Sequence, residues 1–279
     1  MAIQNFIPTV WSEALLQSLD KTYVGVAHCN REFEGDIREK GNRVKICGLN
    51  NITVYDYIKN ANMRSAESLS DFSTELSIDY AKYFNFQIDD IDHVQGNPRL
   101  MNLALKNAAD ALAAEADRIV FAECATNDNV FQATASPETV IHNILRARDL
   151  LYEINGRELH DVVLEVSPRI ASMIIEAKIN LLSNNNEALE TGCIGSIGGC
   201  KVFVTPAIEI GEDDDCNPMY KCILRSTRAV AFAEQLSEVC AYRPELRFAD
   251  AVKGLHLYGC KTVRPSEIVV INFSIPNAG

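Results

Sequence analysis

The spacing of hydrophobic and polar positions changes several times along this chain, and each change marks an element. Near the start, Val10, Trp11, Leu15, Leu16 and Leu19 recur at helical spacing after Phe6-Ile7-Pro8, which predicts a short amphipathic helix. From Arg43 the pattern becomes extended. Val44 and Ile46, then Ile52 and Val54, alternate with polar residues around Leu49-Asn50-Asn51, which predicts a β-hairpin turned at the asparagines. A second extended pair is predicted over 73–92, with Leu76, Ile78 and Tyr80, then Phe84, Phe86 and Ile88, on a period of two.

The period then lengthens. Asn97-Pro98 supplies a cap and a first-turn proline, and Met101, Leu105, Ala108, Leu112, Ala116 and Ile119 recur every three or four residues. A helix over 97–121 follows, about 35 Å long at about 1.5 Å per residue. After a polar connection at Thr126 to Asn129, Ser136-Pro137 opens a second helix that runs to Ile154 and ends at Asn155-Gly156. Val162 to Val166 reads as a buried strand, and Ser167-Pro168 caps a further helix. Residues 191–210 read as two strands broken by glycine, 211–218 as a loop, and the alternation over 255–273 as closing strand. The mixture predicts an α+β fold, and no internal repeat or low-complexity linker interrupts it.

Composition narrows the function classes. A chain of 279 residues with 47% hydrophobic content can bury one large core or two modest ones, as expected of a soluble globular protein. No run approaches the roughly 18 apolar residues of a membrane span. The first residues lack the basic flank and cleavage site of a signal peptide, so folding in a cytoplasm is expected. A net charge of −12 argues against tight nucleic-acid binding, which depends on clustered Lys and Arg. The nine cysteines form no C-x-x-C pair, so zinc ribbons and thioredoxin-like chemistry are not expected, and buried thiols are.

Candidate chemistry is sparse. Gly192, Gly195, Gly198 and Gly199 lack the spacing of a dinucleotide or phosphate loop and read as hairpin turns. Glu212 with Asp213, Asp214 and Asp215 lacks the alternation of a calcium loop and reads as a solvated surface. Asp89, Asp90 and Asp92 lie just ahead of the long helix and suit its positive end. His256 and Cys260 share a strand face, but i and i+4 on a strand are about 13 Å apart. No metal, cofactor or catalytic residue is expected. A cytosolic Cys-His enzyme remains as a rival reading from a different class.

The order of these parts, with "AIQNFIPTVWSEALLQSL", "IDYAKYFNFQIDDID" and above all "AYRPELRFADAVKGLHLYGCKTVRP", resembles the major capsid proteins of tailed bacteriophages over nearly the whole chain. The resemblance implies the Hong Kong 97-like fold and a non-enzymatic shell protein that encloses double-stranded DNA. It implies an N-terminal arm at 1–30, an extended loop and its base at 31–86, and a peripheral domain with a spine helix at 87–128. An axial domain would follow at 129–240 and a C-terminal return to the peripheral domain at 241–279. Implied partners are further copies in hexamers and pentamers, a portal, a separate scaffolding protein, and decoration proteins, with assembly in the bacterial host cytoplasm and no membrane. An encapsulin-type compartment shell is the nearest rival within the fold, and a tail protein a more distant one.

The stretch from Arg31 to Ile46 holds five basic and four acidic residues. Mixed signs argue against a nucleic-acid patch, and Gly35 and Gly41 break any helical face. Within the resemblance it becomes the base of the projecting loop, and Arg31, Glu34, Arg38, Lys40, Arg43 and Lys45 are expected to meet a neighbouring subunit.

Overall fold

A computed structural model describes residues 15, 18–19, 22–34, 43–49, 56–57, 59, 62, 65, 71–89, 100–156, 159, 161–177, 193–212, 217–246 and 248–275. Most of the predicted N-terminal helix, the Leu49-Asn50-Asn51 turn beyond Leu49, the Asn97-Pro98 cap and Asp213 to Asp215 lie outside the described residues. Leu15 and Leu19, which are described, are both buried.

Strand β1 (Arg43–Leu49) pairs antiparallel along its whole length with β2 (Asp71–Ser77), from Arg43 opposite Ser77 to Leu49 opposite Asp71. Ile52 and Val54, expected to pair with β1 across the asparagine turn, lie outside the described residues. Alternation places Val44, Ile46 and Leu76 on one face, and that face is buried against Ala231 and Ala233. The second extended pair divides. β2 joins β1, whereas β3 (Tyr80–Asp89) becomes the edge of a separate three-stranded sheet in the order β10 (Val230–Tyr242), β11 (Ala249–Thr262), β3.

Helix α1 (Leu100–Ala125) runs for 26 residues, about 39 Å. Its buried stripe is Leu105, Ala109, Leu112, Ala113, Ala116, Val120, Phe121 and Cys124. The three alanines let the helix approach closely. This stripe meets Val239, Val252, Tyr258 and Phe232 from the three-stranded sheet, together with Leu15, Leu19, Tyr23 and Val26 from the N-terminal segment.

The remaining elements build one seven-stranded sheet. Its order is β4 (Val130–Thr134), β12 (Ile268–Ser274), β9 (Pro218–Ser226), β5 (Val162–Val166), β7 (Cys200–Val204) and β6 (Cys193–Ile197), with β8 (Ile210–Glu212) on β9. Helices α2 (Val140–Asn155) and α3 (Pro168–Glu176) cover one face, packing Ile144, Leu151, Ile170 and Ile174 on Leu164, Val202, Leu224 and Ile271. Gly156 ends α2 at φ 61 as expected, but the helix opens at Val140, because Ser136 and Thr139 bond each other in a turn ahead of it. Gly198 and Gly199, at φ 58 and 88, form the tight turn between β6 and β7 and leave no phosphate cradle.

β10 (Val230–Tyr242) and β11 (Ala249–Thr262) form the three-stranded sheet over α1, and the last strand, β12, crosses into the seven-stranded sheet between β4 and β9. The crossing is driven by composition: "IVVI", Ile268 to Ile271, is buried on both faces, which the middle of the larger sheet provides.

Candidate assembly surfaces and their buried anchor

The face of the seven-stranded sheet turned away from α2 and α3 carries two charges inside apolar runs, Glu165 in β5 and Arg225 in β9. Both are fully buried. The strands pair so that Val163 faces Arg225 and Glu165 faces Ile223, which leaves the two charges on the same face, diagonal to each other. Arg225 Nε donates to Glu165 Oε2 at 2.9 Å and Nη2 to Oε1 at 2.8 Å, a bidentate pair. Nη2 also donates to the Gly25 carbonyl at 2.7 Å, and Nη1 to the His28 carbonyl at 3.1 Å and to Cys29 Sγ at 3.4 Å. All the guanidinium donors are thus used, and the charge grips the backbone of a single helical turn at Val26–His28.

His28 completes the cluster. Its Nδ1 lies 3.3 Å from Glu165 Oε1, and its ring packs at 4.1 Å on Phe203 of β7. Burial alone would raise the Glu165 carboxyl, but the Arg225 charge and the bonds from His28 and Arg225 outweigh it and hold the group below the usual glutamate range.

From the other side, α1 clamps the same segment. Asp117, the buried acid on the apolar stripe of α1, accepts from the backbone N–H groups of Val24 and Val26, each at 2.9 Å. Burial pushes its carboxyl up to about 6, against the lowering effect of those donors.

A second latch lies a few residues on. Tyr23 donates its hydroxyl to Glu234 Oε2 at 2.6 Å, His256 Nε2 approaches the same oxygen at 3.1 Å, and Arg31 pairs with Oε1. Burial would raise Glu234, but the bonds from His256 and Tyr23 and the charge of Arg31 bring it below its ordinary value. Residues 22–34 are therefore fixed to both sheets and to α1 just before the chain runs out to the β1–β2 ladder. The ladder and the sheet edges are then surfaces held on a rigid base.

The six charged residues expected at a subunit contact separate on this scaffold. Arg31 bonds Glu34 at 2.7 Å as well as Glu234, so both serve inside the chain. Arg43, on β1, meets Glu75 across the ladder at 3.4 Å with both side chains largely exposed, and Lys45 stands exposed opposite Glu75. Arg38 and Lys40 lie outside the described residues. The anchoring charges Glu165, Arg225, Asp117, Glu234 and His256 were not singled out as a cluster. The available signal was a lone charge within an apolar run or stripe, which has to be paired to be buried.

Nothing at these positions is arranged for nucleophilic chemistry. His256 faces Glu234, and Cys260 approaches the Ile119 carbonyl at 3.9 Å. Burial pushes the Cys260 and Cys222 thiols up to about 12 and that of Cys200 to about 11, so the thiolate needed for attack is scarce at neutral pH. Among the described residues no cluster of His, Cys, Asp or Glu could hold a metal ion.

No protein-family model and no curated protein matches the sequence. Solved structures do. A structure from Mycobacterium phage Che8 is 28% identical, covering 89% of this chain and 90% of that one, with a TM-score of 0.69. The capsid of Ralstonia phage GP4 is 12% identical, covering 92% and 89%, with a TM-score of 0.70. A virus-like particle from Pyrococcus furiosus is 13% identical, covering 95% and 99%, with a TM-score of 0.60. The fold of this chain is thus shared along most of its length with phage capsid structures.

Proposed function

We propose that this protein builds the icosahedral head shell around the double-stranded DNA genome of a tailed phage, in the Hong Kong 97-like arrangement. The observation that carries the reading is the Che8 likeness, 28% identity over 89% of the chain, backed by capsid structures of other phages that cover the chain as fully. In this reading residues 1–30 are the arm, the β1–β2 ladder belongs to the base of the extended loop at 31–86, and α1 with the three-stranded sheet is the peripheral domain. The seven-stranded sheet with α2 and α3 is the axial domain at the capsomer centre, and β12 returns to it. Arg38, Lys40, Arg43 and Lys45 meet a neighbouring copy; Arg31 and Glu34 set the angle at which the loop leaves the body.

The charge suits the task. A shell carrying −12 per chain does not hold DNA by its phosphates, so the duplex can slide as it is packed. A separate scaffolding protein, a portal and decoration proteins complete the head, which assembles in the host cytoplasm. A compartment shell that holds protein cargo is the second reading, favoured only by the likeness to the Pyrococcus furiosus particle. Expression of the chain with its candidate scaffold, followed by electron microscopy, tests the proposal. Closed shells or capsomer rings are expected, and shells that hold a co-purifying enzyme and take no DNA would favour the second reading.

A further inference from the structure

Two connections between the seven-stranded and the three-stranded sheet lie side by side. Residues 227–229 lead out from β9 to β10, and residues 263–267 lead back from β11 to β12. The Ala229 carbonyl accepts from the N–H groups of Val263 at 2.9 Å and Arg264 at 3.1 Å, which ties one crossing to the other. The returning turn is held from outside as well. The side-chain amides of Asn127 and Asn129 both donate to the Pro265 carbonyl at 2.9 Å, and that of Asn155 to the Ser266 carbonyl at 2.7 Å. At this joint Glu267, 2% exposed, accepts from Arg228 Nε on Oε2 at 3.2 Å and from Arg264 Nη1 on Oε1 at 3.3 Å. Because they bond the two oxygens of one carboxylate, the guanidinium groups stand next to each other, and their side chains are 45% and 42% exposed.

We propose that Arg228 and Arg264 form a binding site for a phosphate group, with Glu267 as the buried post that positions them. Charge balance is the first argument. One buried carboxylate is offset by one cation, and Arg228 supplies it while joining the two crossings. Arg264, three residues ahead of Glu267 in the same turn, adds no such tie, so its charge is surplus. Glu115 is also shared by two cations, Lys82 and Arg118, but there Arg118 has a second acid in Glu209. Among the described residues, Arg228 and Arg264 have no acid besides Glu267. Open donors are the second argument. Nη1 and Nη2 of Arg228, and Nε and Nη2 of Arg264, have no protein partner among the described residues. Two adjacent guanidinium forks match a tetrahedral group that offers oxygens in several directions, so one phosphate engages both. The fixed backbone of the joint keeps the ordering cost of binding low. The site stands apart from the shell reading, which adds one source of the group: the backbone of an enclosed duplex presents the same oxygens as free phosphate. In a chain of net charge −12, one such pair gives a duplex a sequence-blind resting point and leaves it able to slide.

The test titrates the unassembled full chain by calorimetry with sodium phosphate, against sodium chloride of equal ionic strength, and with a short DNA duplex. R228Q/R264Q removes the site, R118Q/R146Q removes the same charge on the outer faces of α1 and α2, and thermal melting reports folding. Saturable phosphate binding by the parent should weaken by about tenfold or more in R228Q/R264Q and stay close to the parent level in R118Q/R146Q. R264Q alone keeps the Arg228 link across the joint, so it should melt as the parent does and still lose several-fold in affinity. If the duplex is the source, the slope of its log affinity against log salt becomes shallower by about 1–2 in R228Q/R264Q. An unchanged duplex slope with phosphate binding lost assigns the site to free phosphate. Binding of neither probe by the parent, or an equal loss in R118Q/R146Q, overturns the proposal. Neither result touches the shell reading, which stands or falls on the particles that the parent chain forms.

Discussion

Replacing Arg225 by Met tests the buried anchor most sharply. The side chain is fully buried, and its guanidinium satisfies both Glu165 oxygens and the carbonyls of Gly25 and His28. Removing one partner of a buried pair strands the other charge, which costs about 3–5 kcal/mol. That is a large share of the roughly 5–15 kcal/mol that holds a domain together. Glu165→Leu, which strands the cation instead, should cost a similar amount. The double variant leaves only unpaired carbonyls, so its loss should fall short of the sum of the singles, with a coupling near the upper end of about 0.5–3 kcal/mol. Urea unfolding of the unassembled chain measures all three. Hydrogen exchange should also speed up at the Val24 and Val26 amides, because the turn they flank loses its grip on β9. A loss below about 1 kcal/mol for Arg225→Met, or additive singles, would refute the reasoning.

Other expectations follow from the same geometry. Asp117 has an ordinary value of 3.8 and is pushed up to about 6 in the fold, so the folded state holds the extra proton between those values. Stability should therefore fall as pH rises from about 4 to 6, by up to about 3 kcal/mol, and Asp117→Asn should remove that slope in unfolding curves taken across the range. Gly259→Ala would place a Cβ 1.9 Å from the Ser77 carbonyl oxygen, where β2 ends against β11. It should cost more than about 2 kcal/mol and loosen the ladder base, seen as faster amide exchange in β1 and β2. Among the described residues Cys47 is the exposed cysteine, and it should be alkylated in the native protein well before Cys124, Cys200 or Cys222, with the order read by mass spectrometry. R38E/K40E/R43E should fold as the parent does but form no shells on sizing, whereas normal particles would reduce those charges to solvated surface.

Local patterns carried the helices, β5 and the glycine turn, because each is written in consecutive residues: caps, a 3.6 period, a short apolar run. Pairing was legible only in part. β1 alternates plainly, but its partner at Asp71–Ser77 is chosen by the shared buried face of Val44, Ile46 and Leu76 over Ala231 and Ala233, which no local window contains. β4 is a short, half-exposed edge strand between the polar connection at Thr126 to Asn129 and Ser136, and its five residues carry too little pattern to stand out. The anchor was missed for a different reason. Glu165 and Arg225 are 60 positions apart, and one charge in an apolar strand gives no clue to its partner until the strands are in register. The charges that the sequence did bring forward, from Arg31 to Lys45, divide between work inside the chain at Arg31 and Glu34 and an exposed ladder at Arg43 and Lys45.

The central claim, that this chain is the repeating unit of a phage head, is tested most directly by cryo-electron microscopy of the particles it forms. The account predicts closed icosahedral shells in which every subunit keeps residues 22–34 clamped between Arg225 and Asp117. A chain that stays monomeric with its scaffold present, or a particle whose subunits lack the α1 and seven-stranded-sheet arrangement, would contradict it.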